Sequence, residues 1–205
     1  MKIYNNAPVT IGFAIICCVV LIAQFFLPDV IGYLFSVGAY FDFGNPADYF
    51  KIFSHIFGHA NTDHLVGNML YILLLGPLLE EKYGKSKLML MIFLTGLVTG
   101  IINVSFFSTG LRGASGIVFM MIILSSIANY KRGHLPVTFV LVSILYLGQE
   151  FMAIYNADNI SHSAHIIGGI CGSIFGFMMM PERMMTESSQ SSDVIRESDD
   201  LGNFG

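Results

Sequence analysis

Charged residues are scarce in this sequence, and their scarcity excludes a soluble globular domain. Asp, Glu, Lys and Arg make up 12% of the 205 residues, whereas 54% are hydrophobic, and the mean hydropathy is +0.68. These values lie outside the range of domains that fold in water. The composition therefore indicates a membrane protein.

Cysteine is also rare. The three cysteines, Cys17, Cys18 and Cys171, all fall inside long apolar runs. A disulfide framework is implausible there, so we interpret them as packing residues. No internal repeat is apparent, and a single helical domain is the simplest organisation.

Several chemistries are excluded by what the sequence lacks. A zinc protease would need H-E-x-x-H, and neither His55 nor His59 is followed by a glutamate. Intramembrane aspartyl chemistry needs aspartates within spans, but every aspartate lies in a predicted loop or in the C-terminal tail. A small transporter would need charged residues near mid-span or paired broken helices, and the sequence shows neither. We predict no metal, no cofactor and no nucleic-acid partner.

Long apolar runs are what the sequence does contain. About 20 apolar residues are needed to cross the hydrocarbon core of a bilayer. Four runs are clear, and two more begin with polar residues. The runs are 9–27, 88–107, 135–154 and 163–180, then 64–79 and 115–129. We predict an all-α membrane protein with six transmembrane helices in a domain over 1–180.

The segment before the second run is a long first loop, 28–63. It carries two apolar pieces, 30–35 and 49–57, which are too short to span and are expected at the outer interface. The run at 9–27 is too long for a secretory signal and ends in no cleavage pattern, so we interpret it as a retained span.

Lysine and arginine concentrate in cytoplasmic loops, and their distribution predicts orientation. With the N-terminus inside, eight are cytoplasmic and two external. The eight are Lys2, Lys82, Lys85, Lys87, Lys131, Arg132, Arg183 and Arg196, and the two are Lys51 and Arg112. Both termini are therefore expected inside.

The tail, 181–205, holds the entire formal charge of −4 and is predicted to be a solvated, disordered segment.

A polar side chain inside a span is costly, so each one is either a functional residue or a helix-packing contact. Ser115 opens an apolar run between Gly113-Ala114 and Gly116. Such a small-residue cluster can be a close helix contact. It is not the soluble-hydrolase elbow, because Ile117 stands where the second glycine of G-x-S-x-G would be.

His165 begins the sixth span on a face that also carries Gly168, Gly172 and Gly176. Glycines at this spacing permit close helix approach, so His165 is expected to point at a neighbouring helix. It could be a hydrogen-bonded structural group. Opposite a glycine-flanked serine, a neutral imidazole could instead accept the serine proton.

His64 and Asn68 are four residues apart and share one helix face. Both side chains can donate hydrogen bonds. They could join two helices, or they could stabilise a tetrahedral oxyanion in a water-poor site.

Taken together, these residues resemble the rhomboid family. The matching motifs are H-x-x-x-N on the second span, G-x-S-G opening the fourth, and A-H-x-x-G-x-x-x-G on the sixth. The resemblance covers 9–180. It implies an intramembrane serine endopeptidase in the six-helix rhomboid bundle, cleaving transmembrane segments within the lipid bilayer. Separately, the N-terminus does not resemble a transit peptide, which favours a bacterial inner membrane.

By that resemblance, Ser115 is the nucleophile and His165 the general base, a dyad without a third carboxylate. His64, Asn68 and the backbone N–H groups of Ala114 and Ser115 would form the oxyanion hole, and Gly113 and Gly116 would let the chain turn around the nucleophile.

Two residues depart from the family pattern. Phe119 stands where many members have a tyrosine that stacks on the catalytic histidine, so the stacking face is kept and the hydroxyl is lost. Lys51 stands where an arginine is common and cannot make the same bidentate fork.

The alternative function is a catalytically inactive relative that binds membrane clients.

Overall fold

A computed structural model describes residues 6–38, 40–107, 109–128, 135–153 and 162–179. The tail at 181–205 and the bases Lys2, Lys131, Arg132, Arg183 and Arg196 lie outside these ranges. Within them the chain forms eight α-helices and one 3-10 helix, with an isolated bridge between Val37 and Leu111. The helices are α1 Pro8–Phe26, α2 Pro28–Leu34, α3 Pro46–Ser54, the 3-10 helix His55–Phe57, α4 Thr62–Tyr83, α5 Lys85–Phe106, α6 Ser115–Ile127, α7 Val137–Ala153 and α8 His162–Met178.

Each predicted apolar run coincides with one of the longer helices. Three of these, α1, α4 and α5, are long and apolar enough to cross a membrane, and α6 is a shorter apolar helix. Large apolar side chains such as Val19, Leu74 and Leu145 are exposed, as expected where a helix faces lipid rather than water. The all-helical fold is confirmed for the described residues, and six membrane crossings remain a prediction.

The first loop is not a plain loop, because α2, α3 and the 3-10 helix occupy much of it. Both α-helices have proline in the first turn, where its missing N–H is tolerated. Lys51, near the end of α3, pairs with Asp48 and places its ammonium 3.9 Å from the centre of the Tyr33 ring. Lysine thus holds this segment together without the fork of an arginine.

The N-terminal end of α1 and the C-terminal end of α4 are joined by a buried carboxylate. Glu80 accepts hydrogen bonds from the N–H groups of Val9 and Thr10, at 3.0 Å each, and from the hydroxyl of Thr10 at 2.9 Å. A carboxylate suits this position because the first N–H groups of a helix have no partner in the helix and carry its positive dipole end. Glu80 lies in the part of α4 that continues past the predicted boundary at Leu79.

The core that positions the candidate site lies between α6 and α8. A Cβ added at Gly168 would be 2.1 Å from the carbonyl oxygen of Gly116. One added at Gly172 would be 2.4 Å from the carbonyl oxygen of Met120, and one at Gly176 would be 2.0 Å from Ile127. The predicted glycine face therefore packs directly against α6, with Gly168 and Gly172 against its backbone and Gly176 against a side chain.

Candidate active site

Ser115 is the first residue of α6, and a glycine turn places it there. Gly113 has φ of +129°, a conformation that a side chain would strain. Ala114 is the N-cap, and its carbonyl accepts from the N–H of Val118 at 3.0 Å. The partly buried Ser115 therefore lies at the helix N-terminus, where backbone N–H groups lack helical partners.

The helix contact brings the ends of α6 and α8 together at Ser115 and His165. A Cβ on Gly116, the residue after Ser115, would be 3.2 Å from the carbonyl oxygen of Ala164, the residue before His165. The closer contact, between Gly168 and Gly116, is on the same face, about one turn after His165. Serine and histidine are thus each one residue away from a backbone contact between the two helices.

His165 is 9% exposed, and an aromatic ring packs against it. The Phe119 ring centroid lies 4.3 Å from that of His165, with an angle of 40° between the planes. A second histidine, His162, lies one turn earlier on α8 with its ring centroid 6.2 Å from that of His165. Phe119 follows Ser115 by one turn of α6. The same helix therefore supplies both the serine and the aromatic ring that restricts the orientation of the His165 imidazole.

His64 and Asn68 meet the turn before the serine. A Cβ on Gly113 would be 2.8 Å from Nε2 of His64 and 3.8 Å from the amide nitrogen of Asn68. Any side chain at residue 113 would therefore occupy the position of the His64 ring. The structure thus brings the polar pair of α4 and the Gly113 turn into one region.

His59 holds the amide of Asn68. The Asn68 amide nitrogen donates to Nε2 of His59 at 3.0 Å, so Nδ1 of His59 carries the proton and donates to the carbonyl of Phe57 at 3.2 Å. Burial, followed by the neighbouring His64 and Arg112, lowers the pKa of His59 to about 4. At neutral pH the ring is therefore an uncharged acceptor, and the second amide hydrogen of Asn68 is not used by His59.

His55 holds the serine turn from the first loop. Its carbonyl accepts from the N–H of Gly113 at 3.0 Å, and its Nε2 donates to the carbonyl of Gly96 on α5 at 3.1 Å. Burial lowers the pKa of His55 to about 4, so the ring is neutral. Nearby, Val37 and Leu111 exchange two backbone hydrogen bonds, at 3.0 and 2.8 Å. The first loop thus fixes the chain before Ser115 at two positions.

The sequence had not assigned these supporting roles. The spacing of His55 and His59 fits no zinc-protease motif, and no local pattern links either residue to Gly113 or Asn68. In the described part of the chain no three His, Cys, Asp or Glu side chains are grouped to hold a metal ion.

The long apolar helices indicate an integral membrane protein, and the glycine-packed pair α6 and α8 carries a serine and a histidine close to its contact. Residues 46–182 match the Rhomboid domain, more than half of the chain. The chain therefore belongs to the rhomboid family.

Its similarity to curated rhomboid proteases is low in identity but long. It is 23% identical to rhomboid protease GlpG of Haemophilus influenzae over 178 residues, 85% of this chain and 92% of the relative. Rhomboid protease GlpG of Klebsiella pneumoniae is 25% identical over 179 residues, 85% of this chain and 64% of the relative. That of Yersinia pestis is 25% identical over 177 residues, 83% of this chain and 62% of the relative. The chain thus spans less than two thirds of the longer relatives.

Proposed function

We propose that this protein is an intramembrane serine endopeptidase in which Ser115 is the nucleophile and His165 the general base. The observation that carries the proposal is the backbone contact between Gly116 and Ala164, one residue from each side chain. It supports the two groups acting on the same carbonyl. Nε2 or Nδ1 of a neutral imidazole can accept the serine proton, as in other serine hydrolases.

The reaction would proceed through an acyl-enzyme. The Ser115 oxygen attacks the scissile carbonyl while its proton passes to His165, and the imidazolium then gives that proton to the departing amine. Water, deprotonated by the same imidazole, hydrolyses the ester and returns Ser115. The Phe119 ring would limit the imidazole to the orientation that both proton transfers need.

The oxyanion would be stabilised by His64, Asn68 and the N–H groups of Ala114 and Ser115. The packing of the His64 ring and the Asn68 amide against Gly113 supports this assignment, since both then lie next to the turn that carries those N–H groups. Because His59 fixes the side-chain amide of Asn68, the second amide hydrogen of Asn68 would be held in a preorganised position for the oxyanion. Removing one such donor typically lowers kcat about 100-fold or more.

The substrates would be transmembrane segments of other proteins. A peptide bond in a helix is shielded and hydrogen-bonded, so the segment must unwind before Ser115 can reach its carbonyl. With both termini in the cytoplasm, α6 and α8 would each begin at the outer side of the membrane. Cleavage would therefore occur near the outer side. The bacterial relatives favour an inner-membrane location.

Cleavage of a model transmembrane substrate by purified protein in detergent tests the proposal. Wild type should cut, whereas Ser115→Ala and His165→Ala should both be inactive. Ser125→Ala serves as the matched control, since Ser125 is on the same helix and its hydroxyl donates to the carbonyl of Ile122. Equal cutting by all four proteins would overturn the dyad. If none cuts but a client co-purifies equally with all, the inactive, client-binding alternative is the better account.

A further inference from the structure

A second imidazole adjoins the candidate general base. His162 is the first residue of α8 and lies about one turn before His165 on the same helix. The two ring centroids are 6.2 Å apart and the ring planes are at 87°, so the edge of one ring points toward the other. His162 is partly exposed, whereas His165 is buried. His162 therefore lies between the buried imidazole and the N-terminal end of α8.

The Phe119 ring restricts His165 by shape but offers it no hydrogen-bond acceptor of ordinary strength. A general base needs its proton on the ring nitrogen that points away from the nucleophile, so that the other nitrogen can accept. In a Ser-His-Asp triad a carboxylate fixes this tautomer. The helices that pack against α8 are α5, α6 and α7, and none of their described side chains is acidic. His162 is a polar group that the structure places beside the His165 ring.

The separation of the two imidazoles excludes a direct hydrogen bond and fits a water-mediated one. Each ring nitrogen lies about 1.2 Å from its ring centre, so nitrogens of the two rings come no closer than about 3.8 Å. A direct hydrogen bond requires about 3 Å, whereas two hydrogen bonds through one water span up to about 5.6 Å. The partial exposure of His162 lets water reach this position.

We propose that His162 is a positioning residue for the general base, fixing the tautomer of His165 through a bridging water. The N–H of His165 that points away from Ser115 donates to the water, and the water donates to a nitrogen of neutral His162. The nitrogen of His165 that faces Ser115 then carries no proton and accepts one from the hydroxyl. The inference rests on the proposed proteolysis by Ser115 and His165. It assigns the orienting role of a triad carboxylate to a second histidine.

Protonation of His162 would abolish this contact, because an imidazolium has two donors and no acceptor. The other titratable and charged groups near this end of α8 are His64, whose ring lies against the Gly113 turn, and Arg112, which precedes that turn. The described side chains of α5 and α6 at this end, and all those of α7, carry no charge. His64 and Arg112 are the same in wild type and in a His162 variant, so a difference in their pH profiles reports on His162.

The first test measures kcat, KM and melting temperature for variants of matched shape. His162→Phe keeps an aromatic ring without nitrogen and should lower kcat about tenfold, as for one lost hydrogen bond, with KM and melting temperature unchanged. His162→Asp should recover part of kcat, since a carboxylate can accept from the same water. Ser173→Ala is the control on the same helix. It removes a hydroxyl that donates to the carbonyl of Gly169 at 3.0 Å and should leave kcat unchanged.

The pH profile of kcat/KM is a second readout, and packing alone would not change it. Between pH 7 and pH 5 the slope of log kcat/KM against pH should exceed one in wild type, because protonation of either imidazole lowers activity. In His162→Phe the slope should stay at about one, since only His165 is left to titrate. This interval lies above the protonation of His59, whose pKa is about 4.

The outcomes separate this inference from the proposed function. Wild-type kcat in His162→Phe would overturn the inference alone, because the ring would then serve only in packing. A slope of one in wild type would also overturn it, and that measurement requires no variant to fold. An equal loss of kcat in the Phe and Asp variants together with a lower melting temperature would show a structural role instead. If wild type cuts no substrate, the proposed function fails and this inference with it.

Discussion

Replacing Gly168 by alanine should push α8 away from α6. The added Cβ would lie 2.1 Å from the carbonyl oxygen of Gly116, 2.9 Å from its carbonyl carbon and 3.0 Å from its Cα. These are backbone atoms, so no side-chain rotation relieves the overlap. Ordinary contact requires about 3.5 Å, and the helices would have to separate by roughly 1 Å.

The expected effect is a moderate loss of stability and a larger loss of activity. Forcing a methyl group into a packed contact costs about 1–3 kcal/mol. The displaced backbone adjoins both Ser115 and His165, and a misplacement of about 1 Å can lower a rate about 100-fold. Thermal unfolding in detergent measures the first effect and kcat/KM for a model substrate the second.

Gly12→Ala is the matched control. A Cβ at Gly12, also within a helix, meets nothing within 4 Å. Alanine there should be neutral, or stabilising by up to about 1 kcal/mol, because glycine is a poor helix former. Wild-type melting temperature and wild-type kcat/KM in Gly168→Ala would refute the packing argument, because the clash would then have been absorbed without moving either helix.

Three further changes test other parts of the structure. Glu80→Gln should lower the melting temperature by weakening the hydrogen bonds to the N-terminus of α1, worth about 1–3 kcal/mol, whereas the exposed Glu81→Gln should not. If His165 is the general base as proposed, Phe119→Leu should lower kcat about threefold to tenfold with little change in melting temperature, because the ring contact with His165 is lost. A wild-type kcat would count against a role for that contact. The pKa values of His55 and His59 in the folded protein are about 4, below the ordinary 6.5. Between pH 6.5 and pH 4 only the unfolded chain therefore binds protons at these histidines. The free energy of unfolding should be flat above pH 6.5 and fall across that interval. The slope should reach at most about 1.4 kcal/mol per pH unit for each histidine, and His55→Asn should reduce it in melts across that range.

The length of the apolar runs predicted the long helices well. The run 9–27 became Pro8–Phe26, and 163–180 became His162–Met178, because a segment of that length and hydropathy has few alternatives to a membrane-length helix. The short helices α2 and α3 were missed, although proline at Pro28 and Pro46 is a signal for a helix start. Their apolar pieces were too short to be recognised as helices by hydropathy alone.

The candidate site was predicted only in its principal residues. Motif spacing singled out Ser115, His165, His64 and Asn68, and the rhomboid membership that it suggested is confirmed. Their roles in catalysis stay a prediction. The residues that hold them could not be found in the same way, since the contact of His55 with Gly113 joins segments far apart in the sequence. Such contacts depend on the packing of the first loop against the helices, which no local pattern encodes.

The most direct test of the central claim is covalent labelling of Ser115 with a fluorophosphonate, followed by peptide mass spectrometry. An activated serine attacks the phosphorus and releases fluoride, so wild type should gain one adduct, located on Ser115, while His165→Ala should label far more slowly and Ser115→Ala not at all. Labelling of Ser115 at the same rate without His165, or an adduct on another serine, would contradict the account.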